Sequence, residues 1–245
     1  MNTRRRLVLA TAAVLVLVAV GSAAWLQWRM AQPLQLTLRF HAVVGAQPLV
    51  FNAARYANPG GAGHFAVRDV QLFISNLRLL SDAGVYVEPD SYHLLRFDGP
   101  EPGFVVHLHD VPRRDYTRIE FGIGVDPAAN GSIAVHGDLD PNGRMAWTWD
   151  VGYKFVLFEG TLDIDGKRRP LVYHVGFDEN YTPLAFALDG ARLATREPRL
   201  DFRVDVQKLF TGSTPIDMAA LPNVKFDHAD AATLARNYAA MITLL

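Results

Sequence analysis

Leu34-Gln-Leu-Thr-Leu-Arg-Phe-His41 alternates apolar and polar residues at period two. Successive side chains of a strand point to opposite faces, so the run predicts a strand that buries Leu34, Leu36, Leu38 and Phe40 and leaves the residues between them to solvent. Working outward, similar runs recur at Val67–Leu80, Tyr92–Phe97, Phe104–His109, Tyr116–Val125, Tyr153–Ile164, Leu171–Phe177 and Leu200–Val206, separated by clusters of Gly, Pro, Asn and Asp. Many short strands joined by turn residues predict an all-β domain, an antiparallel β-sandwich. Near the end the period changes. Leu234, Tyr238, Met241 and Leu245 recur at three- and four-residue spacing behind Asp230, which predicts a short C-terminal helix with Asp230 as its cap. No internal repeat, low-complexity tract or second-domain linker interrupts residues 34–245, which read as one domain.

Upstream of that domain, Arg4, Arg5 and Arg6 precede an uncharged stretch from Leu7 to Leu26. Basic residues stay on the inner side of a membrane and the remainder is translocated, so residues 1–30 read as a signal peptide or signal anchor and the domain as exported. Ser22-Ala23-Ala24 offers small residues for cleavage, while the apolar run is also long enough to span a bilayer. The only membrane contact this implies is through residues 7–26, if they are not removed.

Composition narrows the chemistry. With 24 basic against 25 acidic residues, the formal charge is −1, which leaves no field to gather nucleic acid. There is no cysteine, so disulfides, thiolate catalysis and sulfur-built zinc sites are excluded, and a metal would have to be held by His, Met, carboxylates or carbonyls. No Gly-x-Ser-x-Gly elbow or His-Glu-x-x-His motif occurs, and the scattered acids form no pair suited to acid–base work, so the chain reads as non-enzymatic.

Several local patterns bear on function. His107 and His109 form a His-x-His pair with both rings on one strand face, near enough to share a metal ion. The alternative is a solvated face opposite Phe104, Val106 and Leu108. His93 and His174 sit in mid-strand, where a polar ring needs a hydrogen bond or a metal. Asp138-x-Asp140-x-Asn142-Gly143 opens like a calcium loop, but Trp149 stands where the bidentate Glu is needed, so it reads as a Pro-Asn-Gly turn. Gly122 and Gly124 share a face in Ile119–Val125, and something must pack closely against them. Trp147 and Trp149 flank Thr148, either as core or interface residues or, beside a redox metal, as oxidisable ones.

Gly137-Asp-Leu-Asp-Pro-Asn-Gly-Arg-Met-Ala-Trp-Thr-Trp-Asp-Val-Gly-Tyr-Lys-Phe-Val-Leu-Phe-Glu-Gly160 is too long and idiosyncratic to follow from strand physics. Together with Phe73–Leu79, Ser91–Leu94, Phe121–Asp126, Tyr173–Gly176, Asp205–Phe210 and Asn237–Met241, it resembles the MbnP-like copper-binding family, periplasmic proteins associated with methanobactin handling. The resemblance runs from about Leu36 to Met241. It implies a β-sandwich in the periplasm that holds copper, as Cu(I) rather than Cu(II), mainly through histidines. It also implies partnership with a MauG-like dihaem enzyme that oxidises a tryptophan to kynurenine. Within matching motifs, His93 and His174 are the implied metal ligands, with His41, His64 or Met145 as a third donor. The family's first strand carries a His where this chain has Ala42, so His41 falls one place early and on the opposite face. No Trp-x-His pair is present, which leaves Trp147 and Trp149 for oxidation or for a partner. The rival reading is a metal-free module that binds a protein partner through the Trp147/Trp149 region.

Overall fold

The computed structural model describes residues 32–52, 56–98, 103–147, 151–189, 197–212 and 215–245, with residues 18, 20–22, 24, 25, 28, 193 and 195. In chain order the strands are β1 (Leu34–Val44), β2 (Gln47–Pro48), β3 (Tyr56–Ala57), β4 (His64–Ser81), β5 (Gly84–Val87), β6 (Tyr92–Arg96) and β7 (Gly103–Val111). They continue as β8 (Tyr116–Ile123), β9 (Lys154–Ile164), β10 (Lys167–Gly176), β11 (Thr182–Ala187), β12 (Arg199–Asp205), β13 (Asn223–Val224) and β14 (Ile242–Leu244). Two helices punctuate them: α1 (Pro127–Asn130) and α2 (His228–Tyr238).

The alternation in the first strand holds. Leu34, Leu36, Leu38 and Phe40 are buried and the residues between them are not. Each such burial contributes about 1.5–3 kcal/mol, so the pattern itself selects which face meets the core. β1 lies at the centre of the smaller sheet, with β12 along one edge and β14 outside it, while β7 and then β2 pair with successive parts of its other edge. The larger sheet is built on β4. Gln71 and Leu72 pair with both β6 and β9, while Ile74 and Ser75 pair with both β6 and β8. Hence β6 occupies one edge of β4, and β9 and β8 follow each other along the other.

Between the sheets lies the main core, where Phe40 stacks on Phe202 and meets Phe121 edge-on. A second, smaller core forms on the outer face of the large sheet. There Phe73, Leu94, Phe155 and Leu157 are roofed by Val125, Ala129, Leu139, Met145 and Tyr153. The roof is therefore part of the segment between β8 and β9, which contains the first part of the family-like motif. The glycines expected to admit a close neighbour do so: a Cβ on Gly122 would collide with the Tyr181 ring, and one on Gly124 with Phe155.

The mostly-β sandwich is as expected, with differences in detail. β1 pairs with β12, and β10 with β13, in parallel. The C-terminal helix is shorter than its spacing predicts. Asp227, not Asp230, caps it by accepting from the Asp230 amide, and it ends at Tyr238. Met241 lies beyond the helix, and residues 242–244 instead add β14 to the edge of β12. The local spacing mimicked a helix because Met241, beyond the helix, is buried in the same main core as Leu234 and Tyr238. Most of residues 7–26 lie outside the described residues, and among those described no helix is long and apolar enough to cross a membrane.

Candidate functional site

Charged groups of the outer face converge under residues 137–147. Cross-strand pairing places Asp69 beside Glu159 and Leu157 beside both Gln71 and His174, all on that face. Glu159 accepts from Arg68, from Arg144 at 2.8 Å and from His174 Nε2 at 3.2 Å. Arg144 also pairs with Asp69, so its guanidinium ties the segment to two strands of the sheet. Burial works to raise the Glu159 carboxyl, but the bonds from Arg68, Arg144 and His174 outweigh it and bring it down to about 2. Lys154 is buried and donates to the carbonyl oxygens of Arg144 and Ala146, and its ammonium is pushed down by burial and by the Arg144 charge. His174 is pushed down by burial, against its bond to Glu159 and helped by the Lys154 charge, so its ring is neutral at pH 7.

The other expected ligands lie elsewhere. His93 pairs with Ile74 and shares its face with Leu95, the face toward the main core, and its Nε2 lies 2.8 Å from Glu88. His93 and His174 therefore stand on opposite faces of one sheet. His41 is on the outer face of the other sheet, exposed, 3.1 Å from Asp201. Ala42, the position where the family pattern has a His, points into the core. His64 is exposed at the start of β4, and Met145 is sealed in the smaller core. The structure thus keeps His41, His93 and His174 on three separate surfaces, each with its own carboxylate. Among the described residues no group of three or more His, Asp or Glu could hold a metal ion together. The set does not fit a three-histidine copper centre.

Trp147 is half-buried over Gly176, where a Cβ would approach its ring to 2.7 Å. Its ring centroid is 5.3 Å from those of Phe177 and Phe226, and Phe177 stacks on His228 at 3.9 Å. Phe177 holds this place with φ at 72° and ψ at 139°, a backbone region that costs a non-glycine residue about 1–3 kcal/mol. Phe226 is 60% exposed, and beside the stack a pocket of about 360 Å³ is lined by Asn130, Gly152, Asp178, Glu179 and His228. Trp149 lies outside the described residues. Asp140 caps the expected turn, accepting from Asn142 N at 2.9 Å, while Asp138 accepts from Leu94 N.

The MbnP family model matches residues 33–226, most of the domain. This chain belongs to the MbnP family. The structure of MbnP from Methylosinus trichosporium superposes with a TM-score of 0.54 at 19% identity, covering 86% of this chain and 97% of that one, which shows a shared fold. The comparison with curated proteins finds no match. Membership supports a methanobactin-associated protein. In this MbnP-family chain the network on Glu159 was missed from sequence, although Arg144 and Glu159 both lie in the 137–160 motif. Only the pairing of β4 with β9 brings Asp69 and Arg68 to them. The positive φ of Phe177 and the exposed Phe226 carried no sequence signal.

Proposed function

We propose that this chain is an exported, non-enzymatic copper-handling protein of the methanobactin-associated MbnP family, working in the periplasm with His174 as its principal donor. What supports the reading is family membership together with one observation. Under the family-like segment, a neutral half-buried imidazole is held by a carboxylate, as metal-binding histidines are. Imidazole suits copper, and Cu(I) accepts few ligands, so Cu(I) is the expected state. Because neither His93 nor His41 stands beside His174, the reading is of transfer rather than storage. Anaerobic Cu(I) titration of the full chain against a chromogenic chelator tests it, with His174→Ala and His93→Ala alongside. One equivalent lost in His174→Ala and kept in His93→Ala supports it, and equal binding by His174→Ala refutes it.

A second reading is favoured by the ring stack in which half-buried Trp147 and Phe177 meet exposed Phe226 and His228: docking of a protein partner, which in this family context is a MauG-like dihaem oxidase. Trp147 or Trp149 would then be the residue converted to kynurenine. Mass spectrometry after co-expression with such an oxidase checks this. A gain on the peptide containing Trp147 and Trp149 supports it, and an unmodified peptide refutes it.

A further inference from the structure

On the outer face of the small sheet, β7 carries His107 and His109, both exposed, on either side of the buried Leu108. Two strand residues apart, their Cα atoms are about 6.7 Å from each other and their side chains project the same way. Each ring is met at its Nδ1 by a side chain of the neighbouring strand β1. His109 Nδ1 lies 2.6 Å from Gln35 Oε1, and His107 Nδ1 lies 3.4 Å from Thr37 Oγ1. An amide oxygen can only accept, so in the neutral His109 ring Nδ1 carries the hydrogen and Nε2 keeps its lone pair. The Thr37 hydroxyl can donate or accept, so its longer contact positions the His107 ring without fixing its tautomer.

The backbone is shaped at this point as well. Pairing with β1 shifts between Leu36↔Leu108 and Leu34↔Val111, so β7 holds one extra residue there, and Asp110 takes φ of 54°. Such a bulge re-aims side chains, and here both His109 and Asp110 face solvent across from Gln35. Tyr86 OH donates to the His109 carbonyl and fastens the bulge.

We propose that His107 and His109 form a two-histidine chelate through their Nε2 atoms for a borderline divalent cation, Cu²⁺ in preference to Ni²⁺ or Zn²⁺. An acceptor on Nδ1, as Gln35 is for His109, is what metal-binding imidazoles use to fix their tautomer, and the order of cations follows from nitrogen donors. The remaining positions belong to water. His41 is no part of the site: it pairs with Gly103, four residues from His107 and so about 13 Å along the strand. The inference does not rest on the copper reading of His174, which lies on the other sheet.

The test is aerobic titration of the full chain with Cu²⁺, Ni²⁺ and Zn²⁺ by calorimetry, with Cu²⁺ electron paramagnetic resonance to count coordinated nitrogens. The variants are His107→Ala, His109→Ala, Gln35→Ala and His174→Ala, all checked for folding by circular dichroism. One equivalent is expected with a two-nitrogen signal. It falls at least about tenfold in either β7 variant, by about tenfold to a hundredfold in Gln35→Ala, and not at all in His174→Ala. Wild-type affinity retained in both β7 variants, or loss confined to His174→Ala, would overturn the assignment. The anaerobic Cu(I) experiment fails or succeeds separately.

Discussion

Replacing Asp126 with alanine is expected to destabilise the fold by about 3 kcal/mol. Its carboxylate accepts from Tyr92 OH at 2.6 Å and Asn76 Nδ2 at 3.0 Å, and from the amides of Ala128 and Ala129 at the start of α1. Burial works to raise this carboxyl, and those bonds reverse the effect and leave it below its ordinary range. Hydrogen bonds to a charged group are worth about 1.5–3 kcal/mol each, so the two side-chain bonds set a range of roughly 3–6. The position is half-exposed, and water replaces part of the loss in the variant, which favours the lower end. In a domain of this length 1 kcal/mol moves Tm by about 2–4 °C, so the expected drop is about 6–12 °C by calorimetry or circular dichroism. The sign with pH follows from the lowered value: the contribution is present above the ordinary carboxylate range and is lost as pH falls through the lowered one. The gap between wild type and variant therefore narrows in acid. Tyr92→Phe combined with Asp126→Ala should be less damaging than the sum, because both remove the same bond. A Tm within a degree or so of wild type, or strict additivity, would show that the bonds are surface decoration.

Three further outcomes follow from the same packing. Glu159→Gln is expected to cost about 1–3 kcal/mol at neutral pH: the drop from 4.5 to about 2 sets a ceiling near 3, and the half-exposed arginines lower it. Wild type loses this stability as pH falls from about 4.5 toward 2 while the variant does not, so parallel urea-unfolding profiles would count against it. Gly122→Ala drives a methyl into Tyr181 and is expected to cost about 1–3 kcal/mol, relieved by Tyr181→Ala in a double variant; no relief in the double variant's melting curve would contradict the contact. At Phe177 the backbone favours glycine, so Phe177→Gly should unfold at higher denaturant than Phe177→Ala, by about 1 kcal/mol, and the reverse order would show that φ of 72° carries no strain.

What the sequence alone determined was whatever repeats along the chain. Alternation at period two marked eight of the strands, because burial of every second side chain leaves its trace in composition. The paired glycines announced the close approach of Tyr181 and Phe155, since only a missing Cβ allows it. The 137–160 motif identified the family. Shorter strands such as β2, β3, β13 and β14 have too few residues to show a period, and the end of α2 was obscured by the buried Met241 beyond it. Tertiary structure alone decided which histidines meet. His93 and His174 look alike in sequence, each mid-strand in a Tyr-His-apolar setting, yet pairing to Ile74 and to Leu157 sends them to opposite faces. The tethering of Arg144 to Asp69 and Glu159, and the hold of Gln35 on His109, likewise join residues 75, 15 and 74 positions apart in the chain. A side chain's face is set by local periodicity, but its neighbours are set by strand register, and register is fixed by the packing of the whole sandwich.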